Sequence, residues 1–269
     1  MKRTLHALRP YLSVCRLRAV LETQYRAAAL GGLVTQVFFG LVYVFLYTAL
    51  FSGSNPEMLR DTITYVWLQQ MFFRMLFSTD GELTNLILSG GVAYMLVLPV
   101  DQHRFWVCRD VGGRLVSALM RLLPMVAVQF ILPAELRMAL PDGPLSLMQF
   151  TLSLTLGLLC MCELSAIIDA VVMKTLDRRG ISAILNLTMM TFSGNVIPLT
   201  LFPDSLQALI RYQPFAQALD APIRMYQQAA ALPEWALNVG VQLFWLFLLH
   251  ALGRALWRHC LNNMIVQGG

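Results

Sequence analysis

The sequence predicts an all-α membrane protein with six transmembrane helices, and three observations carry that prediction. Hydrophobic residues make up 57% of the 269 and charged residues only 13%, against about a quarter charged in ordinary soluble domains. The apolar residues gather in long runs of roughly the twenty residues that cross hydrocarbon as a helix. The basic residues collect on alternate connections between those runs, as membrane orientation requires. The runs leave no room for a second, soluble domain of ordinary size, so residues 1–269 are expected to form one membrane domain.

Residues 1–26 carry Lys2, Arg3, Arg9, Arg16, Arg18 and Arg26 among Leu5, Leu8, Leu12 and Cys15. The apolar positions recur at steps of three and four, which is helical spacing with cationic flanks. The stretch is therefore expected to be an amphipathic helix lying in the cytoplasmic interface, where anionic lipid attracts arginine. No short apolar core ending in a small-residue cleavage site follows it, so the first span is expected to serve as its own insertion signal.

Span one is expected at 28–51, with Gly31, Gly32 and Gly40 offering small faces for close packing. Span two, 62–78, is the least apolar because of Gln69, Gln70 and Arg74, the last near enough to the cytoplasmic end to snorkel. Span three is expected at 115–133, where Pro124 can bend the helix. Span four, 145–172, is long enough to tilt or project and contains Glu163 and Asp169. Spans five and six follow at 181–201 and 235–257. With the N-terminus inside, segments 52–61, 134–144 and 202–234 are external, and they hold only Arg60, Arg137, Arg211 and Arg224 of the 20 basic residues. That bias orients both termini toward the cytoplasm. Duplicated halves of the kind that build many secondary carriers are not visible.

Between spans two and three lies Ile87 to Arg114, ILSGGVAYMLVLPVDQHRFWVCRDVGGR. Its apolar core, Val92 to Val100, holds about half the residues needed to span, yet it is too apolar for an ordinary loop. A short helix at the cytoplasmic surface satisfies both facts, with Gly90 and Gly91 permitting a cap or close approach and Pro99 ending it.

Chemical motifs are absent from the sequence. There is no phosphate-binding GxxxxGK loop, no HExxH and no GxSxG, so no enzyme is expected. Cys15, Cys108, Cys160, Cys162 and Cys260 form no CxxC pair, and His6, His103, His250 and His259 are scattered, so neither a disulfide framework nor a metal site is expected. The net charge of +5 is accounted for by cytoplasmic-side arginine, and no nucleic-acid partner is expected. Inside the membrane the residues to explain are Arg121, Glu163 and Asp169, since charge at depth faces protein or water. Arg121 and Glu163 are expected at similar depth, which suggests an interhelical pair; lining a polar path is the rival role for Glu163.

Residues 193–228, SGNVIPLTLFPDSLQALIRYQPFAQALDAPIRMYQQ, are cut by Pro198, Pro203, Pro214 and Pro222. The apolar pieces between them need cover, and two short helices dipping back toward the membrane supply it if protein buries their broken backbone. An ordinary external loop with one surface helix is the alternative.

Three stretches in this order, the basic amphipathic helix leading into GGLVTQVFFGLVYVFLYTALF, then ILSGGVAYMLVLPVD, then GNVIPLTLFPDSLQALIRYQPF, resemble the membrane subunit of a type-2 ABC transporter. The resemblance covers essentially the whole chain and is to the bacterial six-span permeases whose genes often lie in pairs beside an ATPase. It implies a permease subunit of an ATP-driven exporter in the bacterial inner membrane. Its partners would be ABC ATPase subunits, a second permease, with a heterodimer favoured over a homodimer, and the lipid bilayer. It implies that ATP and Mg bind the partner ATPase and that this chain binds no cofactor. The helix after span two becomes a coupling helix, with Gly90, Ala93, Tyr94, Leu96 and Pro99 matching its pattern, and Arg104, Arg109 and Arg114 would meet lipid headgroups or acidic ATPase surface. Residues 199–226, with Gly194, Pro198, Pro203 and Pro214 in and before them, become external re-entrant helices. The alternatives are a secondary carrier using Glu163 and Asp169 for ion coupling, and a non-transporting six-span scaffold or immunity protein.

Overall fold

The computed structural model describes residues 2–51, 55–76 and 81–263, without the side chains of residues 2–7, 74, 76 and 88. The role expected for Arg74 and the last two residues of span two lie outside the described residues. The helices are α1 (Lys2–Gln24), α2 (Arg26–Leu50), α3 (Pro56–Leu76), α4 (Glu82–Leu88), α5 (Val92–Val97), α6 (Gln102–Ile131), α7 (Pro144–Thr175), α8 (Arg179–Phe192), α9 (Asp204–Ile210), α10 (Pro214–Gln227) and α11 (Leu232–Asn262).

Four of them, α2, α6, α7 and α11, are long and apolar enough to cross a membrane. The runs expected to be spans two and five form α3 and α8, which do not meet that measure. Gln69 and Gln70 lower the apolarity of α3, and α8 has only 14 residues. Span five was expected to reach 201, but its helix stops at Phe192. The cause is a turn at Ser193 to Asn195, where Gly194 has φ +83° and its Cα faces the Tyr65 hydroxyl so closely that any side chain would collide. Span three is corrected in the other direction. Its helix begins at Gln102 rather than 115 because Asp101 caps it, accepting a hydrogen bond from the Arg104 backbone N–H at 3.1 Å.

The most buried of the apolar helices is α7, and α6, α10 and α11 pack against it. Gly157 makes the closest approach: a Cβ there would lie 2.8 Å from the Ala218 Cα of α10. Polar groups seal the same seam, as an apolar interior demands. The Gln242 side-chain amide donates to Ser153 Oγ at 2.7 Å and to the Gln217 carbonyl at 2.8 Å, joining α11, α7 and α10. Ser146 Oγ lies 2.7 Å from the Tyr226 carbonyl. On the far side of α10, the Tyr65 hydroxyl of α3 donates to Asp220 at 3.3 Å. Of the three glycines expected to make span one a packing surface, Gly40 meets the Trp67 ring, Gly32 meets the Arg121 guanidinium and Gly31 faces open space.

The segments expected outside gather at one end of the bundle. Gln227 donates to the Asp61 carbonyl at 2.6 Å, and the Tyr226 hydroxyl to the Ala139 carbonyl at 3.1 Å. Segments expected inside gather at the other. There the Asp101 backbone N–H donates to the Tyr11 hydroxyl at 3.0 Å, and the Arg254 guanidinium lies 3.6 Å from the Asp101 carboxylate. The first helix runs along α6: the Cys15 carbonyl presses on Gly112 and the Arg18 side chain on Gly113. Its outer side leaves Leu8, Leu12 and Leu17 exposed.

Candidate functional site

The stretch from Glu82 to Arg114 folds as two short helices and the start of a long one, α4, α5 and α6. Gly90 sits at φ +74°, a conformation that an L side chain rarely adopts, and reverses the chain between α4 and α5. Within α5, the inner residues Val92 and Met95 are buried in a small apolar cluster with Leu83, Trp106, Ala170, Met173, Trp257 and Cys260. Met95 is held twice more: the Trp106 indole N–H donates to its sulfur at 2.9 Å, and the Gln102 amide to its carbonyl at 2.6 Å. Leu98 caps α5 and Pro99 follows it, and Asp101 starts α6.

The outer side of α5 is apolar and bare. Tyr94 is 84% exposed and Val97 82%, with Ala93, Leu96, Leu98 and Pro99 also exposed. A contiguous apolar patch on a surface held rigidly from behind is the signature of an interaction site. Val97 and Leu98 were not singled out from the sequence, although their place within the same apolar run was the available signal. Two of the three arginines expected to face lipid or a partner turn inward instead. Arg109 is buried, pairs with Glu82 and lies 5.0 Å over the Trp106 ring. Arg114 is buried against Asp110 at 2.7 Å, Ser165 and the Met75 carbonyl. Only Arg104 of the three is exposed. Burying the other two is tolerable because each meets a carboxylate, Arg109 with an aromatic face beside it and Arg114 with a hydroxyl and a carbonyl as well.

Behind this surface lies a charged centre. Glu163 on α7 has one carboxylate oxygen 3.0 Å from His103 Nε2 on α6 and the other 2.9 Å from His250 Nδ1 on α11. The expected Arg121–Glu163 pair is therefore replaced by a pair of histidines. The reason is the early start of α6: His103 and Arg121 are eighteen residues apart, roughly 27 Å of helix rise, too far for both to reach one carboxylate. Arg121 instead bonds the Ser117 hydroxyl at 2.8 Å and its carbonyl at 3.0 Å, facing α2 at Gly32. The grouping of Glu163 with two histidines had no local signal, since its members come from three helices.

A family model described as an ABC-2 family transporter protein matches residues 32–268. The chain belongs to the ABC-2 transporter permease family. No curated protein matches it. The family match takes in α5, the Glu163 centre and α9 with α10, and leaves out α1. As an ABC-2 permease the protein is a multi-pass membrane transport subunit, a class that is generally non-catalytic and works with an ABC ATPase.

In this permease Asp169 pairs with Arg178, from the connection between α7 and α8, at 2.7 Å. Three of the four prolines after α8 divide the chain as expected, whereas Pro222 lies inside α10 without ending it. Pro198 precedes a single 3-10 turn, Pro203 precedes α9, and Pro214 opens α10. Residues 216–223 of α10 are all buried. The permease therefore covers α10 with α3, α7 and α11 rather than leaving it as a surface loop.

Proposed function

We propose that this permease is the membrane half of an ATP-driven exporter and that α5 is its coupling helix, docking in a groove on a separate ATPase that binds ATP and Mg. The observation that carries the proposal is the two-sided build of α5. Its outer side offers Tyr94 and Val97 as anchors, while Met95 ties its inner side to α6, so that a push on α5 is delivered to a long helix. Aromatic and aliphatic anchors on a rigid support are what a partner groove recognises. Gly90, Ala93, Leu96 and Pro99 shape the same surface.

Membership of the family supports the remaining parts of the proposal. Helices α3 and α8 complete six spans, α1 lies at the cytoplasmic interface, and α9 with α10 forms the external re-entrant element. Both termini are cytoplasmic, in a bacterial inner membrane. A second, related permease completes the translocation path, and closure of the ATPases drives alternating access outward. The apolar breadth of the bundle suits an amphipathic cargo.

Tyr94→Glu and Val97→Glu test this. Each variant is expected to insert normally but to lose ATPase copurification, or to hydrolyse ATP without transport. Full assembly and coupled transport in both variants would overturn the role given to α5.

A further inference from the structure

We propose that His103, Glu163 and His250 form a binding site for a divalent transition-metal ion, of the zinc class, that ties α6, α7 and α11 together behind α5. The three side chains each offer one ligand atom, and these atoms lie within 4.8 Å of one another. Two imidazoles and one carboxylate suit zinc and its neighbours, whereas calcium and magnesium take oxygen.

The arrangement differs from an ordinary buried ion pair. His103 is 2% exposed and Glu163 is 5% exposed. His103 Nε2 and Glu163 Oε2 are 3.0 Å apart, yet neither has a hydrogen-bond partner, and His103 Nδ1 has none either. Buried polar atoms left this way are costly, and an ion between them would satisfy both at once. Around a tetrahedral ion with bonds of roughly 2.0–2.1 Å, ligand atoms sit roughly 3.4 Å apart. The observed 3.0 and 2.9 Å spacings run from the two imidazoles to the two different oxygens of Glu163, so ligation of one ion by a single carboxylate oxygen needs a small turn of the Glu163 side chain, from a starting cluster already within 4.8 Å. Room for the His103 ring comes from α11, where Gly253 faces it: a Cβ at that position would lie 2.8 Å from His103 Nε2.

Access and valence fit as well. His250 is half-buried, and an open groove of about 190 Å³ bounded by Asp101, His103, Arg254 and Trp257 adjoins the site. Three protein ligands leave the fourth position for water. His103 lies in the first turn of α6. The ion would therefore fix the very turn to which α5 is joined.

The test is metal binding by the purified full-length chain in detergent. After chelator treatment, Zn²⁺ is titrated against a chromophoric chelator, and thermal unfolding is recorded with and without Zn²⁺. The wild type is expected to take up one ion per chain and to unfold at a higher temperature with it. Glu163→Gln and a His103→Gln/His250→Gln double variant are expected to bind more than roughly tenfold more weakly, while His259→Gln, away from the centre, keeps the site. Because a variant can fail to fold, Co²⁺ is also loaded into the wild type, where the expected absorption is that of a low-coordinate ion with nitrogen and oxygen ligands. A wild type that binds no Zn²⁺, or binding that survives in both Glu163→Gln and the double variant, overturns the site.

Discussion

The Trp106 indole N–H donates to the Met95 sulfur at 2.9 Å and so fastens α5 to the second turn of α6. Both residues belong to the apolar cluster that also holds Trp257 and Leu83, so the contact is supported by packing as well as by its own direction. Removing the indole leaves a cavity that neighbouring long helices cannot collapse to fill. Trp106→Ala is expected to cost about 3–5 kcal/mol, and Met95→Ala about 2–5 kcal/mol, read as lowered thermal unfolding of the purified protein. If α5 transmits force, Trp106→Phe, which keeps most of the volume but loses the N–H, is expected to preserve folding and weaken coupling of ATP hydrolysis to transport.

Arg114 is expected to be among the least replaceable charges in the chain. It is 2% exposed and reaches Asp110 on its own helix, Ser165 on α7 and the Met75 carbonyl on α3. Arg114→Ala would leave the Asp110 carboxylate facing protein without its partner, and breaking a buried pair from one side costs about 3–5 kcal/mol. Arg114→Lys keeps the charge but has no planar fork to serve three acceptors. It is expected to unfold between wild type and Arg114→Ala. A melting point for Arg114→Ala equal to wild type would remove the bracing role.

How much of this was legible in the sequence depends on whether the signal was local. Gly90 and Pro99 are punctuation marks, and the short helix between them was readable from length and turn chemistry alone. The start of α6 was not. Hydropathy reports where polar residues begin, and Arg109 and Arg114, expected to face lipid headgroups or a partner, put the start of span three at 115; protein partners satisfy them, so the helix runs through them from Gln102. The end of α8 was missed because the residues after it remain apolar while Gly194 turns the backbone. Glu163 was singled out correctly as a residue needing an explanation, but its partners stand sixty residues before it and eighty-seven after it. Only the packing of α6, α7 and α11 brings them together.

The contact between α1 and α6 can be read chemically through Cys15. Burial pushes its thiol above the usual value, so at a pH below that raised value it carries less thiolate than a free cysteine. Its carbonyl presses on Gly112 so closely that a side chain there would collide. Gly112→Ala is therefore expected to lift α1 away and let the thiol return toward its ordinary value. In a protein whose only cysteine is Cys15, maleimide labelling at pH 7.5 should then be several-fold faster than without the substitution. The gap should narrow as pH rises, because both forms become thiolate. Equal rates across the pH range would mean that α1 tolerates the added methyl in place.

Two glycines give opposite expectations for the same substitution, which makes them a test of where the bundle is tight. At Gly157 an added Cβ would sit 2.8 Å from the Ala218 Cα and 2.9 Å from its carbonyl oxygen. These are backbone atoms of α10, which cannot swing aside as a flexible side chain would. At Gly240, on the exposed side of α11, nothing lies within 4 Å of the same position. Gly157→Ala has to push α10 off α7 and is expected to destabilise by about 1–3 kcal/mol. Gly240→Ala meets no neighbour and only limits the backbone freedom of a helical residue, so it is expected to stabilise by about 0.5–1 kcal/mol. Thermal unfolding of the two variants should shift in opposite directions from wild type. If Gly157→Ala unfolds no earlier than wild type, the α7–α10 seam is looser than its backbone contact indicates, and the covering of α10 has to rest on its polar bonds to Ser146, Tyr65 and Gln242 instead.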